Sequence, residues 1–235
     1  MANRFLKRFQ GRSFFELIQV SLKTLAAALP WRRRADADRL APHREFDERF
    51  GTDTARKASL NSLDFPVNLA RDGVSYEPSR LGIVADILSL LPINPKEFTF
   101  VDIGSGKGLV AIRAAAHGFG RVIGLEYSQD LIDIALKNAK LVSEQAGLGS
   151  ELDFKKGDAA EFDAPLGPLL LYLYNPFGEA VLNAFLDRIE ASAERDPRPI
   201  FLAYLNPHWK ESIVQRECWR RTATGPDLEV FELEL

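Results

Sequence analysis

The chain is organised around one stretch, Phe100-Val101-Asp102-Ile103-Gly104-Ser105-Gly106-Lys107-Gly108-Leu109-Val110-Ala111-Ile112. It reads as a buried strand, a tight glycine turn and the first turn of a helix. Glycines at alternate positions let backbone approach a ligand closely, because each lacks a Cβ and tolerates unusual φ/ψ. The helix that follows aims its N-terminal N–H groups back at the turn. Open α/β sheets hold nucleotide-like ligands on such strand–turn–helix units.

Outward from that stretch, 235 residues are enough for one large α/β domain with an extension. A hydrophobic fraction of 46% beside 27% charged residues is that of an ordinary globular protein. Cys218 is the single cysteine, which excludes an intrachain disulfide and a thiolate cluster and suits a reducing cytoplasm. Only His43, His117 and His208 are available as imidazoles, they are scattered, and all three are expected at the surface; no metal site is expected. The net charge of −3 hides an asymmetry: residues 1–34 carry eight Lys/Arg against Glu16 alone, so the other 201 residues hold −10. An acidic body argues against broad binding of a nucleic-acid backbone by the core.

In chain order, Phe14, Ile18, Leu22, Leu25 and Leu29 recur at helical spacing, predicting a basic amphipathic helix over 13–29 that Pro30 ends. It is too short and polar for a membrane span and lacks the apolar core of a secretory signal. Packing on the protein body or a second subunit, or weak contact with a membrane surface through residues 4–34, stay open. Residues 32–75 are turn-rich and are expected to drape over the main domain with one or two short helices. The expected division is therefore an extension, 1–75, and a ligand-binding domain, 76–235. A helix is predicted from Ser79, its N-cap, to Leu91. Strands are predicted at 99–103, 121–126, 151–156, 169–174 and 200–205. Between them lie helices at 108–117, at 128–146 with Ser128 as N-cap, and at 178–193; only a short one fits after Gly157. A short helix near 208–216 precedes two strands, 218–222 and 228–233, joined through Gly225-Pro226-Asp227. The alternation predicts a doubly wound, seven-stranded, mostly parallel sheet with a C-terminal antiparallel hairpin.

Three ligands compete for the glycine turn. A P-loop needs Ser or Thr after its lysine, and Gly108 follows Lys107. A dinucleotide site wants G-x-G-x-x-G, and the spacing here is G-x-G-x-G. Asp102, in the strand just before the glycines, suits a cationic amine better than a pyrophosphate. Glu126 ends the second strand, where an acid meets ribose hydroxyls. Asp158 follows the third strand, and Asn175-Pro176-Phe177 ends the fourth, at the sheet's carboxyl edge where ligands bind. Lys107 and Tyr127 are expected to be wall or exposed residues.

From about Tyr76 to the C-terminus this set resembles the class I, Rossmann-like S-adenosylmethionine (SAM)-dependent methyltransferases. The resemblance implies that Val101–Gly108, with Asp102, Gly104, Ser105, Gly106 and Gly108, embraces the methionine part of SAM. It implies that Glu126 binds the ribose hydroxyls and that Asp158 contacts adenine; Tyr127, Ala159 and Asn175 are expected beside the cofactor. It also implies a cytoplasmic enzyme that methylates an unidentified acceptor.

On the acceptor side, Asn175-Pro176-Phe177-Gly178 is similar to a shortened Asn-Pro-Pro-aromatic motif, which in amino-group methyltransferases holds the target nitrogen. Phe177 replaces the second proline and Gly178 the aromatic residue. Tyr76-Glu77-Pro78 lies where such enzymes fold a segment over SAM, and resembles the Tyr-x-Pro segment of the lysine-directed branch. Asn175, Phe177 and Tyr76 are thus the expected catalytic residues, and an amino group of a protein or small molecule the expected acceptor. Metal is not expected, and nucleic acid is disfavoured as a partner. The alternative is a non-catalytic module that keeps the fold and binds SAM or NAD.

Overall fold

The computed structural model describes residues 30–58 and 76–234. The amphipathic helix expected over 13–29 and the segment 59–75 lie outside the described residues. Two compact units divide the chain, Met1–Pro42 and His43–Leu235.

A 21-residue helix, α1 (Pro30–Phe50), replaces the turn-rich reading of its part of the sequence. Pro30 was expected to stop a helix, yet it opens one: at the first helical position its missing N–H costs nothing and its fixed φ is pre-set. Pro42 interrupts the ladder inside α1. In the second unit, His43 and Phe46 are the buried residues of α1, three apart and so on one face. His43 is therefore a buried residue and not the surface residue expected. Phe46 packs with Leu109, Ile112 and Val142.

The rest alternates as predicted: α2 (Ile83–Leu90), β1 (Thr99–Ile103), α3 (Leu109–Ala116), β2 (Arg121–Glu126), α4 (Gln129–Ala146), β3 (Glu151–Lys156), β4 (Leu169–Leu173), α5 (Glu179–Arg195), β5 (Ile200–Leu205), α6 (Glu211–Val214), β6 (Trp219–Gly225) and β7 (Leu228–Leu233). The seven strands form one sheet in the order β3-β2-β1-β4-β5-β7-β6. Every pairing from β3 to β5 is parallel, and β7 runs antiparallel to both β5 and β6. The hairpin turns on Pro226 and Asp227, the latter at φ 57, a left-handed conformation that Asp tolerates.

Burial follows position in the sheet. Central β4 is buried at all five residues, as a strand covered on both faces must be. Edge strands β3 and β6 expose Glu151, Lys155, Lys156, Arg220 and Arg221, charges that discourage further strand pairing. One apolar layer joins Ile83 and Ile87 of α2 and Ala111 and Ala114 of α3 to Phe100 and Tyr172. The opposite layer joins Phe185 and Ile189 of α5 to Val101, Ile103, Leu171 and Leu173. Alternation along β1 therefore puts Asp102 on the same face as Phe100.

Ser79 does not cap α2. The helix starts after Gly82 without a side-chain cap, and the Ser79 hydroxyl pairs with the buried Tyr172 hydroxyl at 2.8 Å. A phenol sealed beneath the sheet edge must find a partner, and that demand outweighs a local cap. Ser128 does cap α4, its hydroxyl accepting from the Leu131 N–H at 3.4 Å.

Candidate active site

The carboxyl ends of β1 and β4 are neighbours although their connections leave in opposite directions, so a crevice opens there. It holds a cavity of about 260 Å³ that Asp102, Gly104, Glu126, Asp158, Asn175 and Tyr76 help to line. Ser105, Gly106, Tyr127, Ala159 and Phe177 line it too; of the expected site residues, Gly108 alone does not.

The floor is the glycine turn, tied to the end of β2. The N–H groups of Gly104 and Ser105 both donate to the Leu125 carbonyl, at 2.8 and 2.9 Å. Gly104, Gly106 and Gly108 take φ of 76, 54 and 81, which side chains with a Cβ rarely adopt. A Cβ on Gly106 would also collide with the Tyr76 ring, and one on Gly104 with Pro176. Glu126 holds the turn in place: its carboxylate accepts from the backbone N–H groups of Gly106, Tyr127 and Ser128, each at 2.9 Å. Each carboxylate oxygen can take more than one such bond, so this anchoring is compatible with a hydroxyl partner in the cavity.

Asp102 is buried, and its Oδ2 has no hydrogen-bond partner among the described residues. Burial pushes its carboxyl up to about 7, the Ala111 backbone N–H opposes that rise, and the nearby Glu126 charge adds to it. A buried orphan oxygen at a cavity wall is costly unless a ligand completes it. A cation would do so, by pairing with the carboxylate and favouring its charged form. Asp158 is held differently: its Oδ1 accepts the Ala160 N–H at 2.9 Å, capping the short 3₁₀ turn Ala159–Glu161. The cap and the cavity wall are made by one side chain.

The acceptor side is tightly wired. Asn175 sits at φ 43 and is buried. Its Oδ1 accepts from the Tyr204 hydroxyl at 2.8 Å and the His208 N–H at 3.3 Å, while its Nδ2 donates to the Asn206 carbonyl. The amide thus ties the end of β4 to the end of β5. Asn206, at φ 50, repeats the Asn-Pro pattern one strand later, and both Asn206 and His208 line the cavity. The doubled Asn-Pro dipeptide, 175–176 and 206–207, was the sequence signal for this wall. Phe177 packs on Phe185 with ring centroids 6.5 Å apart.

Lys107 is neither a cavity wall nor exposed. It is 1% exposed, and its Nζ donates to Asp53 Oδ1 and to the Arg56 carbonyl, each at 2.8 Å. The Tyr76 ring lies 5.4 Å from that ammonium. The Tyr76 hydroxyl donates to the Thr54 carbonyl at 2.9 Å, and burial, followed by the charges of Asp47, Asp102, Asp53 and Glu126, holds the phenol well above its ordinary range. Tyr76 and residues 53–58 together roof the turn. Among the described residues, no group of His, Cys, Asp and Glu could hold a metal ion, and no helix is long and apolar enough to cross a membrane.

No family model matches the chain. A curated relative, ribosomal protein L11 methyltransferase of Syntrophotalea carbinolica, is 30% identical over 127 residues, which are 49% of this chain and 41% of that protein. The chain therefore spans less than half the length of the relative it matches. Among solved structures, an RNA methyltransferase from Salinibacter ruber in complex with S-adenosyl-L-homocysteine aligns at 25% identity and a TM-score of 0.46, over 67% of this chain and 92% of that one. Ribosomal protein L11 methylase from Lactobacillus delbrueckii subsp. bulgaricus aligns at 14% identity and a TM-score of 0.48, over 67% and 80%. About half of this sequence is thus similar to a curated methyltransferase, and the sheet, with β7 alone reversed, has the fold that the resemblance to class I SAM-dependent methyltransferases implies.

Proposed function

We propose that this protein transfers a methyl group from SAM to an amino group of a protein or small molecule. The observation that carries the reading is the charge of the cavity. Among the described residues its lining includes four carboxylates (Glu77, Asp102, Glu126 and Asp158) and four tyrosines, with no Lys or Arg. Such a wall favours a cationic ligand and a cationic acceptor, and disfavours the pyrophosphate of NAD or a nucleic-acid backbone. Aromatic faces add to the preference, since they attract ammonium and sulfonium groups.

SAM supplies an electrophilic methyl group on a sulfonium. Asp102 would pair with its amino group, Glu126 and Tyr127 would meet the ribose, and Asp158 with Ala159 would border the adenine. Displacement at the methyl needs alignment and exclusion of water more than acid–base power. Tyr76 closes the cavity from above and Phe177 from the side. Asn175, its amide already engaged with Tyr204, Asn206 and His208, would act by fixing the acceptor wall. His208, the one imidazole of the lining, stands exposed where a proton leaving an amine can pass to water.

Two measurements test the proposal. S-adenosylhomocysteine at millimolar concentration is expected to raise Tm, because a ligand that binds only the native state stabilises it. No rise overturns the cofactor assignment. Label from methyl-labelled SAM is expected in lysine-bearing peptides or small amines. Incorporation into RNA instead overturns the amine reading.

A further inference from the structure

Lys107 is the one ammonium sealed into the glycine turn, and the chemistry proposed above makes no use of it. Its side chain is 2% exposed, whereas that of its partner Asp53 is 33% exposed. Everything it reaches belongs to the roof: the Asp53 carboxylate, the Arg56 carbonyl and the Tyr76 ring. Burial pushes the Asp53 carboxyl up, and the hydrogen bonds and charges of Lys107 and Arg56 more than reverse that push.

The roof is built to be held there. The Asp47 carboxylate accepts from the hydroxyls of Thr52 and Thr54 and from the backbone N–H groups of Thr54 and Ala55, at 2.7 to 2.9 Å. Asn138 of α4 bridges roof and floor: its Oδ1 accepts the Asp53 N–H at 2.9 Å, and its Nδ2 donates to the Lys107 carbonyl at 3.0 Å. Ala58 and Tyr76 pair as an antiparallel bridge, and Lys57 meets Glu77 at 3.1 Å. The Tyr76 ring rests where a Cβ on Gly106 would be, and the Gly106 N–H is gripped by Glu126. One cation therefore ties the roof to the turn, at the position next to the Gly106 N–H that Glu126 grips.

We infer that Lys107 is a positioning residue for the cofactor: by holding Tyr76 and residues 53–56 down on the glycine turn, it makes roof closure and cofactor binding one coupled equilibrium. The inference rests on the SAM reading. A roof fastened by a few polar contacts opens by local unfolding, and a ligand beneath it that touches both Tyr76 and the turn suppresses that opening. Replacing Lys107 frees Asp53 to rehydrate, so the change loosens the roof without burying an uncompensated charge in the core.

The test is limited trypsinolysis, read by mass spectrometry at Arg56 and Lys57, together with calorimetric titration of S-adenosylhomocysteine. In the wild-type protein the ligand is expected to bind and to slow cleavage at both sites. In Lys107→Met, cleavage there is expected to rise about tenfold and the Kd to weaken about tenfold, equivalent to about 1.4 kcal/mol. Asp53→Asn keeps an oxygen facing the Lys107 ammonium while removing its countercharge, and is expected to move both readouts the same way, which keeps the test valid if Lys107→Met does not fold. Affinity within twofold of wild type in a folded variant, whatever its Tm, overturns the inference alone. Failure of the wild-type protein to bind overturns the SAM reading along with it.

Discussion

The floor and the roof of the cavity are built by opposite means. The floor is local: β1, the glycine turn and α3 are consecutive, and Glu126 reaches Gly106 across 20 positions of sequence. The roof is remote: Asp53 and Lys107 are 54 positions apart, and Asp53 and Asn138 are 85 apart. The floor is fixed by backbone N–H groups and left-handed glycines, and it carries an unfilled polar atom, Asp102 Oδ2. The roof is fixed largely by side chains, with Asp53 paired to Lys107 and Arg56, and Lys57 to Glu77. The floor thus leaves a buried polar atom that a ligand could fill, whereas the roof is held by its own contacts.

The largest effect should come from the floor. Asp102→Asn is expected to weaken S-adenosylhomocysteine binding about a hundredfold, since a charge-assisted hydrogen bond contributes roughly 1.5–3 kcal/mol. The same change should raise the Tm of the free protein at pH 8, because it removes an uncompensated buried charge. A variant that loses affinity and also loses stability would break the contrast between the two regions.

Gly106→Ala tests the junction. Its φ of 54 and the Tyr76 ring both oppose a Cβ, so the substitution should displace the roof and cost about 1–3 kcal/mol of stability, read by chemical denaturation. A neutral result would mean that Tyr76 does not lie on the turn in solution.

The pH dependence follows from the carboxyl of Asp102, raised from 3.8 to about 7. Pairing with a cationic amine favours its charged form, so ligand affinity should rise roughly tenfold between pH 6 and pH 8. Stability of the free protein moves the other way. A folded-state pKa above the unfolded value gives a contribution that is complete below about 4 and is lost as pH rises through 7. The Tm gap between wild type and Asp102→Asn should therefore widen from pH 5 to pH 8. An affinity flat across that range would remove Asp102 from the ligand contact.

The smallest effect belongs to the roof. Tyr76→Phe keeps the ring over Lys107 and loses the bond to the Thr54 carbonyl, a change of about 1 kcal/mol. Trypsin cleavage at Arg56 and Lys57 should rise severalfold, with little change in global Tm.

The floor was legible in the sequence because its information is short-ranged. An apolar run, glycines at alternate positions and an acid at each strand end fix the conformation and the location of the carboxylates, since parallel β-α alternation brings strand ends to one edge. Glu126 was read as a ribose ligand, and its anchoring of the Gly106 N–H escaped notice, because no spacing rule marks such a bond. Asn175 was read as a substrate contact. Its amide is engaged with the end of β5, a partner that becomes visible only when β4 and β5 lie side by side.

The sequence alone determined the succession of strands and helices, the closing hairpin and the acidic residues at the strand ends: periodicity, turn chemistry and chain connectivity act between near neighbours. Only the tertiary structure decided the fates of Lys107, His43 and Ser79: the expected wall or exposed residue, surface residue and helix cap are all buried. The partners of Lys107 and Ser79 lie far along the chain, and burial of a polar side chain is settled by what the fold brings to it.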